Sequence, residues 1–280
     1  MALTEIKAVV LTVKTSEIEL ASDALWSLGV VAIEERRVRG NSRVCELWTS
    51  LGDDSTEIVA SLQAVQRRWP IRFEFVDPAV SESWRGFAEP TIVDHDVVVY
   101  PAWKAAPETS ASYVIAIEPG ATFGMGDHPT TGATLRAMKR IIEQAPGGSV
   151  LDVGCGSGVL AVAACLFGAA QADGVDISPA CVPTTVENAR LNGVASQVRA
   201  STTDLHDLPG PYDLVVANIL APTLIQLAPD LQRVMSPTGV LIISGILADN
   251  HAHVLHALEP LVVIANDRDD VWAAITLAAP

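Results

Sequence analysis

Between Val150 and Gly158 the chain reads VLDVGCGSG. An apolar run ends in an acid, Asp152, and then in three glycines spaced two apart, Gly154, Gly156 and Gly158. Such a turn does chemistry with its backbone: glycine lets the chain bend sharply and approach a ligand closely. The helix that follows points its free N–H groups at the same spot. A dinucleotide site would need a small residue at the sixth position of G-x-G-x-x-G. That position is Val159, so the dinucleotide fingerprint fails. Asp176 lies 22 residues beyond Gly154 and ends the next apolar run, as a carboxylate able to accept two hydroxyl hydrogen bonds. Asn218, in ANIL, offers an acceptor oxygen and a donor NH₂ where open α/β folds bind their ligands. Upstream, GATFGMGDHPTT (residues 120–131) is a bendable polar lead into a helix, with Pro129 suited to the first turn.

The elements that must position these residues follow from periodicity. From residue 129 onward, runs such as SVLDVG, QADGVDI, QVRAST, YDLVVANIL and GVLIISGI alternate with helical patterns. This alternation predicts a parallel sheet covered by helices on both faces. PLVVIAND and DVWAAITLA close the chain with no helix between them, which predicts an antiparallel pair joined by a tight turn and a mixed sheet of seven strands. Residues 1–77 read instead as β-α-β-β-α-β, a small ferredoxin-like domain without a cluster of catalytic residue types. Its second helix is expected in STEIVASLQAVQRRW. Residues 78–112 read as a linker region holding one short strand, DVVVYPAW, and 113–280 as the ligand-binding domain.

Composition narrows the function classes. The 280 residues are 49% hydrophobic and 18% charged, enough for a sizeable core. A formal charge of −15 argues against a broad nucleic-acid surface, so no direct nucleic-acid binding is expected. No long apolar run suggests a membrane span, and MALTEIKAVV is too acidic and too short in apolar residues for a signal peptide. The four cysteines show neither close pairs nor zinc spacing, and His251, His253 and His256 read as surface residues, so no metal site is expected. These features together suggest a cytoplasmic, monomeric protein.

The G-x-G-x-G turn behind an acid resembles class I S-adenosylmethionine-dependent methyltransferases, whose cofactor has no phosphates to hold. That resemblance implies a Rossmann-like α/β fold, with Gly154 and Gly156 against the cofactor and Asp176 beside its ribose. It places Asp204, in STTDL, near adenine, where the residue alone reads equally as an ordinary turn acid. More of the chain narrows the resemblance further: ESWRGF, FGMGDHPTT, VLDVGCGSGVLAVAA, GVDISP, NARLNGV, DLVVANIL, LIISGIL and DDVWAAITL. Together they resemble the ribosomal protein L-eleven methyltransferases, the PrmA type. The family's loop reads close to F-G-T-G-x-H-x-T-T, and this chain departs from it at Met125. The resemblance implies that Thr131 contacts S-adenosylmethionine together with Gly154, Asp176 and Asn218. It also implies Asn218 as the catalytic aligning residue. The implied acceptors are amines of the ribosomal protein: lysine side chains and the N-terminal α-amine. No dedicated base is evident, which leaves desolvation, alignment and water to remove the proton. The alternatives are a related lysine or small-molecule N-methyltransferase, a nicotinamide-dependent dehydrogenase, which Val159 disfavours, and a non-catalytic cofactor-binding module.

Overall fold

The computed structural model describes residues 8–26, 28, 30, 32–38, 40, 41, 43–50, 62, 65–74, 85, 88–120, 122 and 124–280. The chain divides into two compact units, 1–88 and 89–280.

In the first unit, β1 (Ala8–Lys14), β2 (Ala32–Arg37), β3 (Val44–Ser50) and β4 (Ile71–Glu74) form one sheet in the order β2-β3-β1-β4. All three pairings are antiparallel. Strand alternation decides its two faces. Val9, Leu11 and Val13 point to a core shared with Leu47 and with Ile18, Ala21 and Leu25 of α1 (Ile18–Trp26). The other face is polar: the Arg72 guanidinium donates to Glu46 at 2.8 and 2.9 Å, and Arg36 stacks 4.1 Å above Trp48. Most of the expected second helix and most of the ESWRGF stretch lie outside the described residues.

The second unit opens with a three-stranded sheet of β5 (Thr91–Ile92), β6 (Val97–Pro101) and β7 (Tyr113–Ile117). Residues 89–112, read from sequence as linker, therefore carry two strands of this unit. Asp94 fixes the β5–β6 turn by accepting the N–H groups of Asp96 and Val97, both at 2.8 Å. Lys139 then binds Asp96 at 2.8 Å and so ties that turn to α2 (Pro129–Gln144).

The main sheet contains β8 (Ser149–Val153), β9 (Gln171–Val175), β10 (Val198–Ser201), β11 (Tyr212–Asn218), β12 (Met235–Leu247), β13 (Val262–Asp269) and β14 (Trp272–Ala278). Their order is β10-β9-β8-β11-β12-β14-β13. β10 to β12 run parallel, whereas β14 pairs antiparallel with both β12 and β13, giving the mixed seven-stranded sheet the sequence predicts. Its central strands are mostly apolar because both faces are covered, with Asp152 and Ser244 the buried polar exceptions on β8 and β12. Val150, Leu214, Val216 and Ile242 pack with α3 (Val159–Phe167) on one side. Leu151, Val215, Ala217 and Ile243 pack with α5 (Ala221–Arg233) on the other. Pro229 lies within α5 without ending it.

The small sheet packs into the same apolar core through Val97, Val99, Ile115 and Ile117, and polar contacts add to this. α4 (Cys181–Leu191) carries Asn188, fully buried, whose amide donates to the carbonyls of Glu118 and Ser157 at 2.9 and 2.8 Å. Its oxygen accepts the Glu118 N–H at 2.9 Å. Asn192 repeats the pattern on Ala116. One side chain thus joins the end of β7, the glycine turn and α4. Asn188→Ala would remove all three bonds within a packed interior. It should destabilise the protein by about 2–4 kcal/mol, given roughly 1 kcal/mol per bond plus the cost of stranded polar groups. Denaturant unfolding checks this; a loss of only a few tenths, as at exposed sites, would contradict it.

Candidate active site

The carboxyl end of the main sheet is where its connections leave a cleft, and the glycine turn lies at its base. Gly154 has φ +76°, a left-handed conformation that side chains adopt only with strain. Added bulk there would also run into Ile219 Cγ2. Ile219 is confined from the other side as well. A Cβ on Gly245 would lie 2.5 Å from the Ile219 carbonyl oxygen, and Gly245 has φ +82°. Gly245 sits where the β12–β14 register shifts between Ile243 and Ile246, a bulge beside the site. The segment after Asn218 therefore runs between two glycines.

Asn218 is the last residue of β11, half-buried, and opposite Ser244 in the ladder. It lines one cleft with Thr131, Gly154, Gly124, Cys155, Val159 and Leu160. Three of the sequence-predicted residues, Thr131, Gly154 and Asn218, are thus brought together from β8, β11 and the first turn of α2. The opening loop is held onto the glycine turn by the Ser157 hydroxyl, which donates to the Gly124 carbonyl at 2.6 Å.

Asp176, just past β9, is linked to the same turn. Its carboxylate accepts the Gly156 N–H at 3.0 Å and the Ser178 N–H at 2.9 Å. Each oxygen keeps a lone pair for a ligand hydroxyl. Asp204 is exposed, and its carboxylate accepts the His206 N–H at 2.8 Å, capping a single turn of 3₁₀ helix. It does not line the cleft.

Two buried polar atoms bear on what the cleft accepts. Thr131 Oγ1 and Asp152 Oδ1 have no hydrogen-bond partner among the described residues. An unpaired buried hydroxyl is costly unless a ligand completes it. With the glycine turn and the Asp176 carboxylate, it fits a polar, hydroxyl-bearing cofactor. Asp152 is fully buried, and desolvation pushes its carboxyl up to about 7 despite the Ala161 N–H it accepts. Among the described residues Cys155 is the one titratable side chain lining the cleft, and burial holds its thiol well above the usual range, protonated and poorly nucleophilic. Among the described residues no group of three or more His, Cys, Asp or Glu could hold a metal ion.

Sequence reasoning missed Ile177, which follows Asp176 and is 96% exposed. An isoleucine left open directly after Asp176 offers an apolar surface beside that carboxylate. Its signal was an apolar residue directly after the strand-ending acid. The wedge of Ile219 between Gly154 and Gly245 had no local signal at all.

Comparison with known proteins agrees with this geometry. Residues 74–279 match the family model for ribosomal protein L11 methyltransferase (PrmA). A ribosomal protein L11 methyltransferase of Citrifermentans bemidjiense is 43% identical over 71% of this chain and 67% of its own length. One from a Geobacter species is 42% identical over the same shares. The crystal structure of a ribosomal protein L11 methylase from Lactobacillus delbrueckii subsp. bulgaricus superposes with a TM-score of 0.63 and 30% identity, covering 68% of this chain and 98% of that one. With a class I methyltransferase sheet and a family match over most of its length, the chain belongs to the ribosomal protein L11 methyltransferase (PrmA) family.

Proposed function

We propose that this chain transfers methyl groups from S-adenosylmethionine to amines of ribosomal protein L11, on lysine side chains and the N-terminal α-amine. The observation that carries this reading is the convergence of the unpartnered Thr131 hydroxyl, the Gly154 turn and Asn218 on one cleft. The cofactor, when bound, supplies a methyl group made electrophilic by its sulfonium centre. Thr131, Gly154, Gly156 and Asp176 are the residues that would hold it, with Asp204 toward the adenine. The chain's own part in the reaction is alignment. The Asn218 amide oxygen accepts an N–H of the incoming amine, and the carbonyls of the 217–220 segment aim its lone pair. The amine arrives neutral, having given its proton to water, since the Cys155 thiol is in no state to take it.

The first unit is the proposed recognition module. The cofactor-facing residues fall within 89–280, and a protein substrate needs a broader surface than a methyl-transfer cleft offers. The enzyme is proposed to act as a monomer in the cytoplasm, without direct nucleic-acid contact, in keeping with its −15 charge. No described helix is long and apolar enough to cross a membrane.

Three outcomes are expected. Asp176→Ala should weaken S-adenosylmethionine binding at least about tenfold in calorimetric titration, because charge-assisted hydrogen bonds contribute roughly 1.5–3 kcal/mol each. Asn218→Ala should lower kcat on ribosomal protein L11 by more than it weakens cofactor affinity, the sign of an interaction made chiefly in the transition state. An unaltered kcat would make Asn218 a strand-end residue and nothing more. A chain beginning at Glu89, which keeps β5 and the Asp94 turn, should bind cofactor as the full chain does and lose most of its kcat/KM on the intact ribosomal protein. Equal kcat/KM for the two would refute the recognition role.

A further inference from the structure

His128 stands at the head of α2 and takes no part in the methyl-transfer chemistry itself. Its Nδ1 accepts the Thr130 N–H at 3.3 Å and lies 2.7 Å from Thr130 Oγ1. Its carbonyl accepts the Thr131 N–H at 3.0 Å and the Gly132 N–H at 3.3 Å. The ring packs edge-on against Trp272, with centroids 5.3 Å apart. The residue beside Thr130 is Thr131, whose hydroxyl is the unpartnered group at the cleft.

We propose that His128 is a positioning residue for cofactor binding: its neutral imidazole caps α2 and so holds the first turn that presents Thr131 to the cleft. The proposal rests on the reading of Thr131 as a cofactor contact. A ring nitrogen that accepts an N–H carries no proton, which assigns the neutral ring's proton to Nε2. Protonation places a second N–H on Nδ1, facing the Thr130 amide. The cap is lost, and the Thr130 hydroxyl must turn from donor to acceptor.

The surroundings make this transition asymmetric. Burial against Trp272 and the helix end lowers the ring's affinity for a proton, and the carboxylates of Asp127 and Asp269 oppose this only in part. Asp269 is itself engaged by Arg136 of α2 at 2.7 Å. Because the folded value lies below the ordinary 6.5, the neutral ring's contribution is complete above 6.5 and is lost as the pH falls through the folded value. Asp152 also titrates near neutrality, so a pH dependence alone would not identify His128.

The test compares the full-length protein with His128→Asn and Thr131→Ala. Asparagine is a helix-capping residue that cannot be protonated. S-adenosylmethionine affinity is measured between about pH 8 and about pH 5, a range that brackets histidine titration, and the Thr130 amide resonance is followed without cofactor. At the alkaline end His128→Asn should bind as the wild type does. On acidification the wild type should weaken about fivefold more than His128→Asn, the size of one lost helix cap. The wild-type Thr130 amide should titrate with the imidazole and be flat in His128→Asn. The same acid limb in both proteins, or a Thr130 amide that ignores pH, would overturn the proposal. Unchanged affinity in Thr131→Ala would also overturn it, and would place the fault in the Thr131 contact, since the amide titration reads the cap by itself.

Discussion

The close approach of Ile219 to Gly154 and Gly245 is the constraint on which the site depends. Three neighbouring strands of a parallel sheet end at the same level, and their connections must share one small space. Gly154 leaves β8 in a left-handed turn, Ile219 leaves β11 between, and Gly245 sits at a bulge near the end of β12. A Cβ at Gly245 would press on the Ile219 backbone, and one at Gly154 on the Ile219 Cγ2 methyl. The apolar sheet below cannot shift to relieve it, because interiors are close-packed and both faces are covered. The segment after Asn218 is therefore confined by two residues that carry no functional group.

Around that wedge the loops are joined by polar contacts to backbone groups. Asp176 grips the glycine turn at Gly156, Ser157 holds the opening loop at Gly124, and Asn188 ties the turn to the end of β7. Side-chain-to-backbone bonds suit this purpose: they fix main-chain position where no strand ladder exists, and each is felt when lost. The site is preorganised by these contacts, and the Thr131 hydroxyl is what they leave unsatisfied within the cleft. The four free cysteines are all buried, with thiols held up by desolvation, so none competes as a nucleophile.

Much of this was legible in the sequence, and for physical reasons. Strands buried on both faces read as apolar runs, and the switch to the β13–β14 hairpin showed in two closely spaced strand-like runs with no helix between, of which β14 is the buried one. The glycine turn, Asp176 and Asn218 could be located because each ends such a run. Thr131 was found through the opening-loop resemblance. The small sheet of β5 to β7 was read only in part: β5 has two residues, too few for any periodicity, and Asp94, which builds its turn, resembles any loop acid. Asn188 escaped notice because ENARLNG looks like an ordinary exposed helix face, and its partners are backbone atoms of distant segments. Asp204 illustrates the opposite limit. Its two readings, turn acid and adenine contact, differ in where a carboxylate points, which spacing does not encode; one oxygen, Oδ1, caps its own turn.

Methyl transfer itself is the most direct measure of the account. The purified chain, ribosomal protein L11 and S-adenosylmethionine labelled in the methyl group would be incubated together, and the protein product analysed by mass spectrometry with fragmentation. The account predicts label on L11, in whole methyl increments, at lysine side chains or the N-terminal amine. Cofactor binding with no label on L11, or label on a side chain that is not an amine, would contradict it.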